Sequence, residues 1–275
     1  MPSAKDGMFF VSREMVSAVS MDCLTLSVVI ITLNEEANLA RTLPSVAWAD
    51  EIIVLDSGSS DGTRQVAESF HAKFFVEPWK GFAAQKNSAL AKATGDWILS
   101  LDADEEVEPA LADEIRAVLA ANPSVDGFRI PRKNFFLGRW IKHGGYYPDP
   151  KLRLFRRGAG SFEERLVHED MRLDGTTASL KHNLLHNAYP TLESYIEHMN
   201  RYSSLGAQMA VAKRARGFCL IDIAIRPRLT FLYNYFLRLG FLDGREGLLL
   251  HLYHEQYVSW KYAKAWETNR KRANP

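Results

Sequence analysis

Residues 97–104, Trp-Ile-Leu-Ser-Leu-Asp-Ala-Asp, join a short apolar run to two aspartates. A run of this length and composition is typical of a buried strand, which we extend back to Asp96. In parallel α/β sheets, ligands bind outside the carboxyl ends of the strands. The stretch therefore predicts a buried strand that carries Asp102 and Asp104 into a ligand site.

Similar runs precede it along the chain. Strands are predicted over residues 26–33, 51–55 and 73–76, and helices over 34–43, 63–70 and 81–94, with Pro44 ending or kinking the first helix. A further helix opens at Pro109 and places Leu111, Ile115 and Leu119 on one face. Strands that alternate with helices predict an α/β fold with a mostly parallel, Rossmann-like central sheet.

The pattern changes beyond Phe128. Residues 129–133 resemble a strand that leaves the sheet, and residues 151–155 alternate charged and apolar residues, as a half-exposed strand does. After Thr191 the chain is mainly helical. We therefore divide it into a flexible tail over 1–24, a catalytic α/β domain over 25–190 and a helical extension over 191–275.

Composition excludes several classes of protein. The formal net charge of +1 argues against a general nucleic-acid binder. Cys23 and Cys219 lie too far apart to indicate a disulfide scaffold or a cysteine zinc site, which favours a reducing, cytoplasmic location. No uncharged apolar run approaches the ~20 residues of a membrane span.

Asp102 and Asp104 suit a metal-assisted reaction. Mg²⁺ and Mn²⁺ take oxygen ligands from one or two carboxylates together with substrate phosphates. One aspartate of the pair can bind the metal while the other binds sugar or ribose. The alternative is that both acids simply begin a helix, where negative charge is favourable.

A second polar loop follows the strand at 51–55. It is Asp56-Ser-Gly-Ser-Ser-Asp-Gly-Thr63, in which Asp56 can accept hydrogen bonds from a ribose or base. Its serines and glycines allow the backbone to approach a ligand closely. Asp61 is better placed to cap the helix that follows.

These motifs together resemble the family 2 glycosyltransferases. The resemblance covers about residues 26–170 and rests on Thr32-Leu-Asn-Glu35, the loop 56–63, Lys86-Asn87 and Asp102-Ala-Asp-Glu105. It implies a GT-A fold, a nucleoside-diphosphate sugar donor, Mg²⁺ or Mn²⁺, and an inverting mechanism. It assigns the metal to Asp104 and nucleotide contacts to Thr32, Asn34, Glu35, Asp56 and Asp102. Lys86 falls near the donor diphosphate, unless it is a solvated helix lysine.

An inverting transferase also needs a general base for the acceptor hydroxyl. The family often supplies it from a Glu-Asp pair, which here matches Val167-His-Glu-Asp170. Glu169 is the first candidate, Asp170 the second and Asp149 the third, and each could instead be a surface charge.

Within the family, glucosyltransferases of the lipopolysaccharide inner core look most similar. The similarity rests on Val167-His-Glu169, residues 151–155 and residues 238–244, and it implies UDP-glucose as donor and a lipid-linked glycan as acceptor. Basic residues are mixed with aromatic ones over 201–238. They fit a peripheral contact with the anionic inner face of the cytoplasmic membrane or a grip on a phosphorylated core, or else simple packing on the catalytic domain.

Two other functions share these features. A polyprenyl-phosphate sugar transferase has the same catalytic motifs, although such proteins often carry membrane helices. A non-catalytic nucleotide-binding module would be favoured if Asp104 and Glu169 were far apart. Nucleotidyl transfer is disfavoured because residues 32–36 lack the glycines of a phosphate loop.

Overall fold

The computed structural model describes residues 24–163, 170–213 and 218–273. Its strands are β1 Leu26–Thr32, β2 Glu51–Asp56, β3 Lys73–Val76, β4 Trp97–Leu101, β5 Glu105–Val107, β6 Gly127–Ile130, β7 Arg132–Phe136, β8 Arg139–Trp140, β9 Lys151–Arg156, β10 Gly160–Glu163, β11 Asp170–Leu173, β12 Thr177–Ser179 and β13 Leu184–Tyr189. Its α-helices are α1 Glu36–Val46, α2 Thr63–Ser69, α3 Phe82–Leu90, α4 Pro109–Ala120, α5 Leu192–Lys213, α6 Arg226–Leu232 and α7 Gly244–Ala273. The tail predicted over 1–24 lies outside the described residues except for Leu24.

The central sheet has seven strands in the order β12-β6-β9-β4-β1-β2-β3. β3, β2, β1 and β4 are parallel neighbours, whereas β9 runs antiparallel between β4 and β6. The predicted α/β class with a mainly parallel central sheet is confirmed. The carboxyl ends of β1, β2 and β4 consequently meet at one edge.

The central strands β1, β2 and β4 are buried on both faces, because most of their positions are apolar. Along β1, Val28 and Ile30 pack into the cluster that includes α1 and α4, while Val29 packs into the cluster that includes α3. The alternation follows from the two-residue period of a strand. Leu111, Ile115 and Leu119 form the buried face of α4, as predicted.

A second sheet has the strand order β5-β13-β7-β8. Its first strand follows directly after Asp104, at the edge where β1, β2 and β4 end, which we call the active edge. The stretch after Asp104 forms strand β5, so the alternative of a helix start at the two aspartates is wrong. β13 pairs with both β5 and β7, which sets His186 opposite Glu105 on one side and Asn134 on the other. This sheet was not predicted.

Three local expectations need correction. Helix α1 continues through Pro44 and ends at Val46, since a proline in the last turn removes only one helical hydrogen bond. Helix α3 stops at Leu90, short of the predicted Thr94. β9 is not half exposed: Arg153 is 6% exposed because carboxylates surround its guanidinium.

The helices after β13 pack mainly on each other and on the second sheet. Tyr195 of α5 and Leu250 of α7 share a cluster with Phe136 and Ile141. Ala207 and Val211 meet Ala265 farther along the same pair of helices. Within the described ranges, no helix has both the length and the apolar character needed to traverse a bilayer.

Candidate active site

Hydrogen bonds tie together the loops that follow β1 and β2. Asn34, in the left-handed region at φ 57°, donates its amide to Ser59 Oγ over 2.7 Å and accepts from the Ser60 amide over 2.8 Å. The Glu35 amide donates to Thr63 Oγ1 over 2.8 Å. An asparagine tolerates this backbone conformation better than most residues. The two predicted donor-binding loops therefore form one unit.

Asp56 organises this unit from the inside. Its buried carboxylate accepts hydrogen bonds from Thr32 Oγ1 at 2.8 Å, the Gly58 amide at 2.8 Å and the Ser59 amide at 2.7 Å. Burial alone would raise the pKa of Asp56, but these hydrogen bonds outweigh it and lower the pKa. Asp61 accepts from the Thr63 amide at 3.1 Å, in keeping with its predicted place at the start of α2. The nucleotide contacts of Thr32 and Asp56 stay a prediction.

Asp102 lies between two cations. Lys86 Nζ of α3 donates to its Oδ1 over 2.7 Å, and Arg153 of β9 donates to its Oδ2. Burial raises the pKa of Asp102, but Arg153 and Lys86 together hold it well below its usual value. Lys86 is 5% exposed, so it is not a solvated helix lysine. The negative charge of Asp102 is therefore already balanced within the protein.

The ion pairs continue away from Asp102. Arg153 also donates to Glu105, which is fully buried, and Glu105 accepts from Arg132 over 2.8 Å. Arg132 in turn donates to Asp149 over 2.6 Å. This network alternates cations and anions from Lys86 to Asp149. It fixes the positions of β4, β7 and β9 relative to one another at the active edge.

Asp104 has a different environment. His186 Nε2 lies 3.5 Å from Asp104 Oδ2, and His186 Nδ1 lies 2.6 Å from Asn134 Oδ1. The amide nitrogen of Asn134 is used elsewhere, donating to the Tyr146 carbonyl over 2.9 Å, so its oxygen faces the histidine. The Nδ1 atom must then donate. A neutral His186 consequently presents the lone pair of Nε2 on the side of Asp104.

Glu35 is a third acid close to Asp102 and Asp104. Burial raises its pKa most, and the charges of Asp104, Asp61 and Asp102 raise it further, against a hydrogen bond from Asn38 that lowers it. Burial dominates this shift, and repulsion by the three nearby carboxylates adds to it. A bound cation would relieve this repulsion.

The residues present fit a divalent cation held jointly with a ligand. In the described ranges, no group of three or more histidine, cysteine, aspartate and glutamate side chains could hold a metal by itself. Mg²⁺ and Mn²⁺ sites commonly use only one or two protein ligands and take the rest from substrate phosphates and water. Asp104 and His186 could offer one oxygen and one nitrogen ligand, and Asp104 keeps 28% of its side chain exposed.

The three candidate bases differ in how much the structure describes of them. Glu169 lies outside the described residues, and Asp170 begins β11, where it pairs with Glu163 of β10. Asp149 is ion-paired with Arg132 and Lys151 and accepts from Asn134 at 3.2 Å. Burial raises its pKa, but Arg132 and Lys151 outweigh that effect and lower it. Asp149 is thus poorly suited to take a proton.

Sequence reasoning missed Arg132, Arg153 and His186. Arg153 carried one signal: it interrupts Leu-Arg-Leu-Phe, an otherwise apolar run that follows shortly after the candidate acid Asp149. His186 lies in Leu-Leu-His-Asn-Ala-Tyr, a strand-like run that we did not identify. Arg132 carried no signal of its own, because its partners come from distant segments.

Most of this chain is similar in sequence to known proteins. The sequence profile described as Glycosyl transferase family 2 matches residues 27–173. The lipopolysaccharide core biosynthesis glycosyltransferase LpsC of Rhizobium meliloti is 33% identical over 266 residues, which cover 92% of this chain and 96% of that protein. An uncharacterized glycosyltransferase of Rickettsia typhi is 30% identical over 236 residues, covering 82% of this chain and 80% of the relative.

A solved structure shares the fold. The mannosyltransferase of Pyrobaculum calidifontis, determined in complex with GDP-Man and Mn²⁺, is similar with a TM-score of 0.51 and 17% identity. The similarity covers 88% of this chain and 86% of that one. It confirms the expected GT-A fold, in which long helices follow the α/β domain.

Proposed function

Because this chain belongs to glycosyl transferase family 2, we propose that it transfers a sugar from a nucleotide donor to a hydroxyl group with inversion. The donor is UDP-glucose, and the acceptor is a lipopolysaccharide-core or related lipid-linked glycan. The division of charge between Asp102 and Asp104 carries this proposal. Asp102 is neutralised by Lys86 and Arg153, which leaves Asp104 for a cation.

The donor would lie across the carboxyl ends of β1, β2 and β4. Thr32, Asn34, Glu35 and Asp56 would bind its nucleoside, since they line the two joined loops that follow β1 and β2. Asp102 would accept from the ribose or the sugar. Lys86 is 5% exposed and ion-paired with Asp102, so its contribution to diphosphate binding would be long-range rather than a free point charge.

Asp104 and His186 would hold Mg²⁺ or Mn²⁺ together with the donor diphosphate. When bound, such an ion stabilises the negative charge that builds on the leaving diphosphate. The protein's part is to keep His186 in one tautomer through Asn134, and to leave the Asp104 side chain accessible. Glu35 supplies further negative charge nearby.

Glu169 would remove the proton from the acceptor hydroxyl, with Asp170 as the second candidate. Asp149 is less suitable, because two cations already neutralise it. Its place in the ion-pair network makes it a positioning residue instead. The described strand β11, which follows Glu169 in the sequence, pairs with β10, and Phe162 of β10 lies against Lys86 with its ring 5.0 Å from Nζ. The closeness of β10 to Lys86 supports a base from this part of the sequence.

The proposed acceptor rests on LpsC, the relative whose description names a biosynthetic pathway. LpsC is described as a lipopolysaccharide core biosynthesis enzyme, and the similarity spans nearly the full length of both chains. We accordingly propose that the enzyme acts at the inner face of the cytoplasmic membrane, on a phosphorylated and lipid-anchored saccharide.

A transfer assay tests the proposal. The purified chain would be given radiolabelled UDP-glucose, UDP-galactose, UDP-N-acetylglucosamine or GDP-mannose with Mn²⁺, and lipopolysaccharide truncated in its inner core. We expect label from UDP-glucose in the lipid fraction, and none with the Asp104→Asn variant. Label from another donor alone would correct the sugar. Transfer to undecaprenyl phosphate but not to lipopolysaccharide would favour the polyprenyl-phosphate alternative.

A further inference from the structure

The described C-terminal helices expose an unusual amount of apolar surface. Of nineteen large hydrophobic side chains that are exposed in the described residues, twelve lie within residues 218–242. They are Phe218, Leu220, Ile221, Ile225, Leu229, Leu232, Tyr233, Phe236, Leu237, Leu239, Phe241 and Leu242. Such a concentration marks an interaction site in a folded protein. We call these side chains the C-terminal apolar surface.

The surface lies on consecutive short elements that pack on α7. It is formed by α6, the π-helical turns Ile221–Ile225 and Tyr233–Leu237 on either side of it, and the 3₁₀ turn Gly240–Asp243. Ile221, Leu229 and Tyr233 line one shallow groove. The opposite side is anchored, since Pro227 is buried and Ser259 of α7 donates to the Ile223 carbonyl over 2.8 Å.

The exposed charges on this segment are all positive. Its two acids are buried: Asp222 is 7% exposed and ion-paired with Arg226, and Asp243 is 2% exposed and accepts from the His143 amide. The four arginines of residues 218–245 are all exposed, and of these Arg226 pairs with Asp222 and Arg228 with Glu255, while the other two are Arg238 and Arg245. Arginines bordering an apolar surface match an anionic lipid surface, which has apolar chains beneath negative headgroups.

The geometry also limits how deeply the segment could enter a bilayer. α6 spans only seven residues, and none of the described helices could cross a membrane. A short helix with an apolar side and basic neighbours lies in the interface, about 5–10 Å deep. We propose that the C-terminal apolar surface docks on an anionic phospholipid bilayer.

Docking there would hold the active site near the membrane. The Gly144 amide donates to the Arg238 carbonyl over 2.9 Å, and the His143 amide donates to Asp243 over 2.8 Å. The loop that contains these residues ends at Asp149, which is ion-paired with Arg132 of the active-site network. In this respect the inference deepens the proposed function, because it supplies the surface that brings a lipid-anchored acceptor to the site.

Vesicle sedimentation tests the docking directly. The purified full chain would be mixed with vesicles of phosphatidylcholine alone, or of equimolar phosphatidylcholine and phosphatidylglycerol. We expect binding to the anionic vesicles and little to the neutral ones. Leu229→Glu should weaken the partition coefficient by about tenfold or more. The matched control is Val76→Glu, since Val76 is 58% exposed and Leu229 59%, and it should bind like the parent chain.

Two results would overturn the proposal. One is a parent chain that stays in the supernatant with anionic vesicles. The other is a Leu229→Glu variant that binds as well as the parent. If light scattering instead shows a dimer that Leu229→Glu dissociates, the surface is a contact between two copies. Vesicle binding needs no donor, so intact binding without transfer would count against the proposed function alone.

Discussion

Arg153 donates to Glu105 over 2.7 Å in an interior where both side chains are almost fully buried. Breaking a buried ion pair by removing one partner leaves an uncompensated charge, which costs about 3–5 kcal/mol. Glu105 would keep Arg132, but Asp102 would lose one of its two cations. Removing Arg153 would therefore destabilise the fold and also take away part of the positive charge that balances Asp102 in the active site.

Replacing Arg153 with methionine should lower the free energy of unfolding by about 3 kcal/mol or more. Urea denaturation of the folded chain measures this. Arg172→Met is the control, because the exposed ion pair of Arg172 with Glu163 should contribute no more than about 1 kcal/mol. Equal, small losses in the two variants would contradict a structural role for the buried network.

Glu35→Gln should raise the melting temperature of the ligand-free protein at neutral pH. The pKa of Glu35 is raised above its usual 4.5, chiefly by burial, so its ionised form disfavours the folded state above that pH. The variant's advantage should therefore shrink as the pH falls through the raised pKa and vanish below 4.5, where the parent is protonated in both states. A melting curve series against pH measures it. An advantage that grew towards acidic pH would have the wrong sign.

His186→Ala should weaken the affinity for Mn²⁺ measured in the presence of UDP by about tenfold to a hundredfold. Titration calorimetry follows the change, and loss of the Nε2 ligand is the cause. His182→Ala is the matched control, because His182 pairs with Glu114 away from the active edge. If both variants keep the parent affinity, His186 is not a metal ligand.

Glu169→Gln should lower kcat by about a hundredfold to ten-thousandfold while leaving UDP–Mn²⁺ binding intact. An amide cannot accept the acceptor's proton, yet it has the size and polarity of the acid. Asp149→Asn should keep most of kcat, since Arg132 and Lys151 already neutralise that carboxylate. The reverse result, with Asp149→Asn inactive and Glu169→Gln active, would identify Asp149 as the base.

The sequence predicted the parts of the fold that local patterns determine. The strands that lead to Thr32, Asp56 and Asp102 are mainly apolar and end at polar loops, so their place at one edge followed from the rule for parallel sheets. Lys86 forms an ion pair with Asp102 that depends on tertiary packing, and its place near the donor stays a prediction.

Ion pairs and strand pairings between segments far apart in the sequence could not be predicted from it. Arg153 is an arginine in an apolar strand, and its burial depends on Asp102 and Glu105, about fifty residues earlier. His186 belongs to a strand that joins β5 to β7, and no local period distinguishes that strand. The charge of a single residue does not predict whether that residue is buried when its ion-pair partners lie far away in the chain.

The central claim is that Asp104 binds a metal together with a nucleotide diphosphate. The most direct measurement is the thermal shift of the purified chain with UDP, with and without Mn²⁺, for the parent and for Asp104→Asn. A ligand that binds only the folded state raises stability by mass action. We predict a shift that needs both UDP and Mn²⁺ and that Asp104→Asn abolishes. A shift that is independent of Mn²⁺, or unchanged in Asp104→Asn, would contradict the account.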